Sequence, residues 1–241
     1  ESRVRCVRPG TVIGMGAPGR ADLSRIIAQG FEPTLFADTP FQAELLMSDV
    51  LGGVWKGVDH SPTDAVVQFS TQLARDSASL GALSRAVLEV LALIGPPESA
   101  EAISALALRS TGTAPRWLPL LDNVALLEIV TSEDVFGDQT NYIMQFGYRD
   151  GGRVVGCHII IAMVDHNLHL MKDAFIVEGP TFEQLTAVFN SDPDLYVLPV
   201  PDLAYVAGAI TRAMDSTDLT VDVGELLGEE TASTWYLLRS R

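Results

Sequence analysis

The sequence predicts an α+β fold, in which an N-terminal helical region precedes an antiparallel β-meander of about four strands and C-terminal helices. Three observations predict it. Apolar residues recur at three- and four-residue spacing as far as about residue 120. Beyond that point, short runs of β-branched and aromatic residues are separated by turn residues. The two patterns follow one another instead of alternating, which is typical of segregated helices and strands.

Five helices are predicted before the sheet. Breakers separate them, among them Gly52 and Gly53 and the Gly-Pro-Pro run at 95–97. The fourth helix carries apolar side chains around most of its circumference, so it should be buried. The five predicted helices cover residues 21–29, 40–51, 63–75, 79–94 and 98–108.

Four strands are predicted after the helices, at residues 124–131, 142–148, 154–164 and 169–177. Turns at 150–152 and 165–168 join the last three strands into an antiparallel meander. Helices at 182–189, 201–214 and near 231–238 should follow, the second with Pro201 in its first turn. The chain is thereby divided into an irregular segment at 1–20, a helical region at 21–120 and an α+β region at 121–241.

The charge balance restricts the classes of partner. The chain has a formal net charge of −15, and a surface this acidic repels phosphate backbones and anionic lipids. We therefore expect neither nucleic acid nor a membrane as a partner. No long apolar run predicts a membrane span and no signal peptide is evident, which favours a cytoplasmic protein. Whether residues precede Glu1 in the native protein is left open.

Cysteine usage gives no sign of a disulfide framework. The chain has two cysteines, Cys6 and Cys157, which are too few to staple a fold. Cys157 lies in an apolar strand and is expected to act as a small hydrophobic residue.

The hairpin over residues 154–177 is the most informative segment, because it holds three of the four histidines. With a four-residue turn at 165–168, His158 opposes Phe175 and Ile160 opposes Asp173. One face is then apolar except for Lys172 and should be the core, with Cys157, Ile159, Ile161, Met163, Leu170, Ala174 and Ile176. A two-residue turn at 150–152 adds Tyr142, Met144, Phe146 and Tyr148 to it. The other face carries His158, His169 and Asp173.

This polar face has two functional interpretations. In the first, it binds a protein or a small molecule, together with the acidic loop at 131–141. The candidate ligand-binding residues are then His158, Asp165, His166, Asp173 and Asp138. In the second, the protein is a metal-dependent hydrolase with His158, His169 and Asp173 as ligands and Asp165 or His166 as the acid–base group.

The sequence favours the first interpretation. It has no HExxH motif and no paired CxxC motifs, so no metal and no cofactor are assigned. A structural alternative is a half-exposed sheet face with a His–Asp hydrogen bond and an Asx-type turn at 165–167. The predicted function is a binding or scaffolding module, and catalysis is not expected.

A glycine-rich run at 14–19 matches GxGxxG, and Asp38 follows at about the spacing of the dinucleotide fingerprint of hydroxyacid dehydrogenases. Residues 8–10 break the strand that must precede this motif, and no β–α alternation follows it. We interpret the run as a glycine-rich entry loop. A nicotinamide-binding protein is a third alternative, for which no binding is expected.

One resemblance covers most of the chain from about residue 62. It rests on DVFGD at 134–138, FGY at 146–148, His158, DHN at 165–167 and KDAF at 172–175. The pattern resembles that of a family of unknown function found in actinobacteria. The resemblance implies no activity. It also implies that His169 is a local variation, since the family usually has glycine near 168–169, and this weakens a metal site that needs His169.

Overall fold

The structure is a computed structural model, which describes residues 5–6, 26–27, 29–58, 62–112, 114–198, 202–220 and 227–241. The glycine-rich run at 14–19 and Pro201 lie outside these residues. So does much of the helix predicted at 21–29, although residues 26–27 and 29–31 are helical. Within the segment predicted as irregular, β1 (Arg5–Cys6) is a short strand, which corrects that prediction locally.

Beyond a 3-10 helix at Glu32–Phe36, four α-helices precede β2 in the described chain, and they confirm the second to fifth predicted segments. Their bounds are α1 (Phe41–Lys56), α2 (Pro62–Ser77), α3 (Ser84–Ile94) and α4 (Pro97–Arg109). The third begins later than predicted, because Gly81–Leu83 forms a 3-10 turn instead. It is buried as its all-round apolar pattern predicts. Pro97 stands in the first turn of α4, where its missing N–H costs no hydrogen bond.

The sheet confirms the α+β fold class. Its other strands are β2 (Val124–Asp134), β3 (Gln139–Asp150), β4 (Arg153–Asp165), β5 (Leu170–Glu178) and β6 (Leu195–Leu198). Among the described residues the strand order is β1-β5-β4-β3-β2-β6, with every pairing antiparallel. The strand β6 was not predicted. Because β2 and β3 extend toward each other, the acidic loop predicted at 131–141 shrinks to residues 135–138.

Three helices follow β5 in the described chain: α5 (Phe182–Ser191), α6 (Leu203–Asp218) and α7 (Glu229–Arg239). They confirm the three predicted C-terminal helices. The described residues contain no helix with both the length and the apolar character that a membrane crossing requires.

The turn between β3 and β4 has the predicted two residues. Asp150 pairs with Arg153, and Gly151 and Gly152 have φ of 51° and 88°, as a type I′ turn requires. A bulge at Gly156, whose φ is 62°, then adds one residue to β4. Because one extra residue inverts the faces, Phe146 pairs with His158. The prediction that Phe146 shares the face of Cys157 is therefore wrong.

The register of β4 and β5 also differs from the prediction. The loop begins one residue later, so that Asp165 pairs with Leu170, and a second bulge makes Lys172 the extra residue of β5. Met163 therefore opposes Asp173, where the prediction placed Ile160. The shift is odd, and so Asp173 and His158 belong to opposite faces of the sheet.

Both faces of the sheet are covered, which corrects the prediction of one apolar and one polar face. The face of His158 joins the main core, which contains Trp55 of α1, Ile210 of α6 and Trp235 of α7. The other face forms a smaller core in which Ile159 and Ile161 pack with Phe182 and Leu185 of α5. Cys157 lies on this second face but is exposed, so it does not act as a buried hydrophobic residue.

The main core unites the two predicted regions of the chain, because α7 packs along α1. The Leu237 amide donates to the Ser48 hydroxyl at 2.9 Å, and the Ser233 hydroxyl donates to Asp49 at 2.5 Å. Gly52 permits this approach, since a Cβ there would lie 1.8 Å from the carbonyl oxygen of Ala232. The division into domains at about residue 120 stays a prediction.

Candidate functional site

His158 lies in the main core and not on a wet sheet face. It is 5% exposed, and its ring stacks on Phe41 with 4.3 Å between ring centroids. The pKa of His158 is lowered to about 3, mainly by burial and also by the charge of Arg241, while the hydrogen bond to Gly156 opposes both. The imidazole is therefore neutral near pH 7.

The hydrogen bonds of His158 fix its tautomer. Nδ1 lies 3.2 Å from the carbonyl oxygen of Gly156, which can only accept, so Nδ1 carries the proton. Nε2 is then a buried acceptor that has no partner among the described residues. The prediction of a hydrogen bond between His158 and Asp173 is wrong, because the two side chains lie on opposite faces of the sheet.

Asp173 ties the sheet to a helix instead. Its carboxylate accepts hydrogen bonds from the hydroxyl of Thr231, in the first turn of α7, and from the Ala174 amide at 2.9 Å. The Ala174 amide also donates to the Thr231 hydroxyl at 3.2 Å. This arrangement holds α7 against β5, which is a structural role.

The remaining candidates meet at one end of the sheet. The His166 amide donates to the carbonyl oxygen of Asp138 at 2.8 Å, and His166 Nε2 lies 2.6 Å from the hydroxyl of Thr140. The Asp165 carboxylate accepts from the Leu168 amide at 2.8 Å, three residues on, whereas the Asx-type turn expected at 165–167 would bond the amide two residues on. The structure thus brings Asp138, Asp165 and His166 together, and places His158 and Asp173 elsewhere.

The predicted metal ligands do not assemble. In the part of the chain that the structure describes, no three His, Cys, Asp or Glu side chains are grouped so that they could hold a metal ion. His158 is buried, His169 lies exposed in the β4–β5 loop with φ of 56°, and Asp173 is bonded to Thr231. The hydrolase alternative therefore loses the site on which it rested.

A buried ion pair beside His158 escaped the sequence analysis. Arg241 donates to Glu44 at 2.5 Å, and their side chains are 2% and 0% exposed. The Tyr148 hydroxyl donates to the same carboxylate, and Arg241 donates to the Tyr148 oxygen at 3.2 Å. Burial and the Glu44 charge raise the pKa of Tyr148, so its hydroxyl stays protonated. The one local signal was a glutamate within the apolar segment of α1.

A cavity of about 210 Å³ adjoins this ion pair. It lies between the strands β2 and β3, the helix α6 and the end of α7. The strand side is lined by Leu126, Ile129, Met144 and Phe146. The main apolar contributors from the helix α6 are Leu203, Val206, Ile210 and Met214. The residues from α6 recur at helical spacing, so a single helix face forms that wall.

Three polar residues line the same cavity: Thr211, Arg239 and Arg241. Arg239 donates to Asp215 at 3.1 Å and to Asp218 at 2.6 Å. Burial raises the pKa of Asp218, and the Arg239 charge together with hydrogen bonds from two tryptophans opposes the rise. These bonds fix the guanidinium at the cavity wall while its side chain remains 31% exposed.

The arrangement can enclose a small molecule within apolar walls and offer hydrogen-bond donors from one side. The sequence matches no protein-family model, and neither a curated protein nor a solved structure is significantly similar to it. The geometry of the cavity is consequently the basis on which a function can be argued.

Proposed function

We propose that the protein is a non-catalytic binding module whose cavity takes a small, largely apolar molecule. The observation that carries the proposal is the cavity of about 210 Å³, whose walls are apolar except for three residues. A protein cavity of about 150 Å³ with similar walls binds benzene. A molecule somewhat larger than benzene therefore fits this one.

Solvent access supports the proposal. Leu203 is 53% exposed, and Ala207 and Thr211 on the same wall are exposed as well. These three side chains form the mouth of the cavity, and the buried Val206, Ile210 and Met214 lie behind them. A molecule that enters exchanges water for apolar contacts, which is favourable at roughly 25 cal/mol per Å² of buried apolar surface.

The proposal keeps the binding role expected from the sequence and changes its location from the polar sheet face to the cavity. Nucleic acid and anionic membranes are not proposed as partners, because the net charge is −15. A cytoplasmic location stays an expectation from the sequence. The resemblance to an actinobacterial family stays a prediction and adds no activity.

Methionine methyl groups allow a direct test. Met144 and Met214 line the cavity, whereas Met163 packs against the smaller core on the opposite face of the sheet. We expect butylbenzene, added to protein with isotope-labelled methionine methyls, to shift the NMR signals of Met144 and Met214 saturably. The signal of Met163 should not move. Absence of a saturable shift at Met144 and Met214 overturns the proposal.

A matched pair of variants locates the binding. Ala207→Trp places a large side chain at the mouth of the cavity and should weaken butylbenzene binding by at least about tenfold. Ala204→Trp adds the same bulk to an exposed position of α6 that does not line the cavity, so binding should be unchanged. Equal affinities of the two variants would contradict the assignment to this cavity.

A further inference from the structure

We infer that the molecule bound in the cavity is neutral and carries one oxygen acceptor, a carbonyl or a hydroxyl group, which lies against Thr211 and Arg239. The inference rests on the proposed function, since it concerns the same cavity. Two observations support it: the hydrogen-bond donors that line the cavity, and the carboxylates that already neutralise the two arginines.

Thr211 and Arg239 lie at the same end of the cavity. Arg239 is bonded to Asp215, and Thr211 precedes Asp215 by one helical turn, which makes them neighbours on the surface of α6. A guanidinium has five N–H donors, and the bonds to Asp215 and Asp218 leave others able to donate. An oxygen at this end therefore finds donors without breaking either bond.

The carboxylates that bind the two arginines do not themselves line the cavity. Among the described residues, no carboxylate side chain lines the cavity, while two arginines and a threonine hydroxyl do. An oxygen acceptor is the group that such a wall complements. A purely hydrocarbon molecule would cover the exposed part of Arg239 without replacing its hydrogen bonds to water.

The charge of the wall excludes a carboxylate as the preferred acceptor. Asp215 and Asp218 balance Arg239, and Glu44 balances Arg241, so the two guanidinium groups offer no net positive field. The whole chain adds a net charge of −15. A carboxylate would lose its hydration on entering an apolar cavity and gain little attraction in return. A neutral carbonyl or hydroxyl loses far less.

Three probes of similar shape separate the effects of apolar contact, a neutral oxygen and a negative charge on binding. Butylbenzene has no oxygen, benzylacetone has a ketone, and phenylbutyrate has a carboxylate. Each is titrated while the methyl signals of Met144 and Met214 are followed. We expect Thr211→Val and Arg239→Lys each to weaken benzylacetone about fivefold and to leave butylbenzene within about twofold. Arg212→Lys, on α6 but outside the cavity, should affect neither. Phenylbutyrate should bind unmodified protein at least about tenfold more weakly than benzylacetone does.

The outcomes distinguish this inference from the proposed function. If butylbenzene and benzylacetone both fail to bind, the cavity is not a binding site, and the proposed function and this inference are both wrong. If they bind, but Thr211→Val and Arg239→Lys weaken the two equally, the cavity is a binding site but no hydrogen bond to a ligand oxygen forms there. If phenylbutyrate binds more tightly than benzylacetone, the molecule is an anion and the neutral assignment is wrong.

Discussion

The contact between α1 and α7 predicts opposite effects for two adjacent glycine substitutions. Gly52 faces the backbone of α7, and a Cβ there would lie 1.8 Å from the carbonyl oxygen of Ala232 and 2.5 Å from its carbonyl carbon. Gly53 is exposed on the same helix, and a Cβ there would meet nothing within 4 Å. The two positions share their helical backbone and differ in what surrounds them.

The magnitudes follow from these distances. Gly52→Ala forces the helices apart by more than about 1 Å, because the obstacle is backbone that cannot rotate away, and overpacking of this kind costs about 3 kcal/mol or more. Gly53→Ala relieves the conformational entropy of a glycine within a helix and should stabilise by about 0.5–1 kcal/mol. The free energies of unfolding should therefore differ by about 4 kcal/mol between the variants.

Urea denaturation followed by far-ultraviolet circular dichroism measures this difference. Wild-type protein and both variants are compared at one protein concentration, and the slopes with urea show whether unfolding stays two-state. If Gly52→Ala unfolds within about 1 kcal/mol of Gly53→Ala, α7 does not pack on α1 at the described distance. That result would also remove the support for the cavity wall formed by the end of α7.

Two further predictions concern buried ionisable groups. Arg241→Met should lower the free energy of unfolding by about 3–5 kcal/mol, because it leaves the fully buried Glu44 without its cation. Adding Glu44→Gln to that variant should recover part of the loss, and equal losses in the single and double variants would contradict the prediction. His158 has a folded-state pKa of about 3 against an ordinary value of 6.5, so between about pH 6.5 and pH 3 the unfolded chain binds this proton and the folded protein does not. The free energy of unfolding should therefore fall by up to about 1.4 kcal/mol per pH unit down to about pH 3, and His158→Phe should remove this contribution in urea titrations. Parallel pH profiles for the two proteins would refute it.

The sequence predicts the elements well because their signals are local. The apolar spacing and the Gly-Pro-Pro run at 95–97 define α3 and α4, and Gly151 with Gly152 defines the turn between β3 and β4. The strand β6 was missed because its four residues lie between helices and gain their stability by pairing with β2.

The pairing register of the strands is harder to predict, because one extra residue in a strand changes it. The bulge at Gly156 depends on a φ of 62° and on close contact with Thr39, where a Cβ would approach a side-chain carbon to 2.6 Å. Neither is visible in an alternating pattern. That single residue places His158 on the face of Phe146 and so in the main core. The expected pairing with Asp173 is lost for a second reason, because the bulge at Lys172 and the later loop place Asp173 on the opposite face.

The candidate site rests on contacts between distant parts of the chain. Glu44 and Arg241 are 197 positions apart, and the cavity needs α6 to lie over β2 and β3. Glu44 was the one readable signal, since a carboxylate in an apolar helix needs a buried partner. Its partner had no signal, because an arginine near the end of a helix is ordinary on a protein surface.

The pairing of α1 with α7 bears on how the chain is made. The ribosome releases residues 41–56 long before residues 229–239, so the indole of Trp55 has no Trp235 to stack on while most of the chain is being synthesised. Contacts separated by nearly the whole sequence are slow to form, since a long loop must close first. The nascent helices consequently emerge with an uncovered apolar side, which is the kind of surface that chaperones hold.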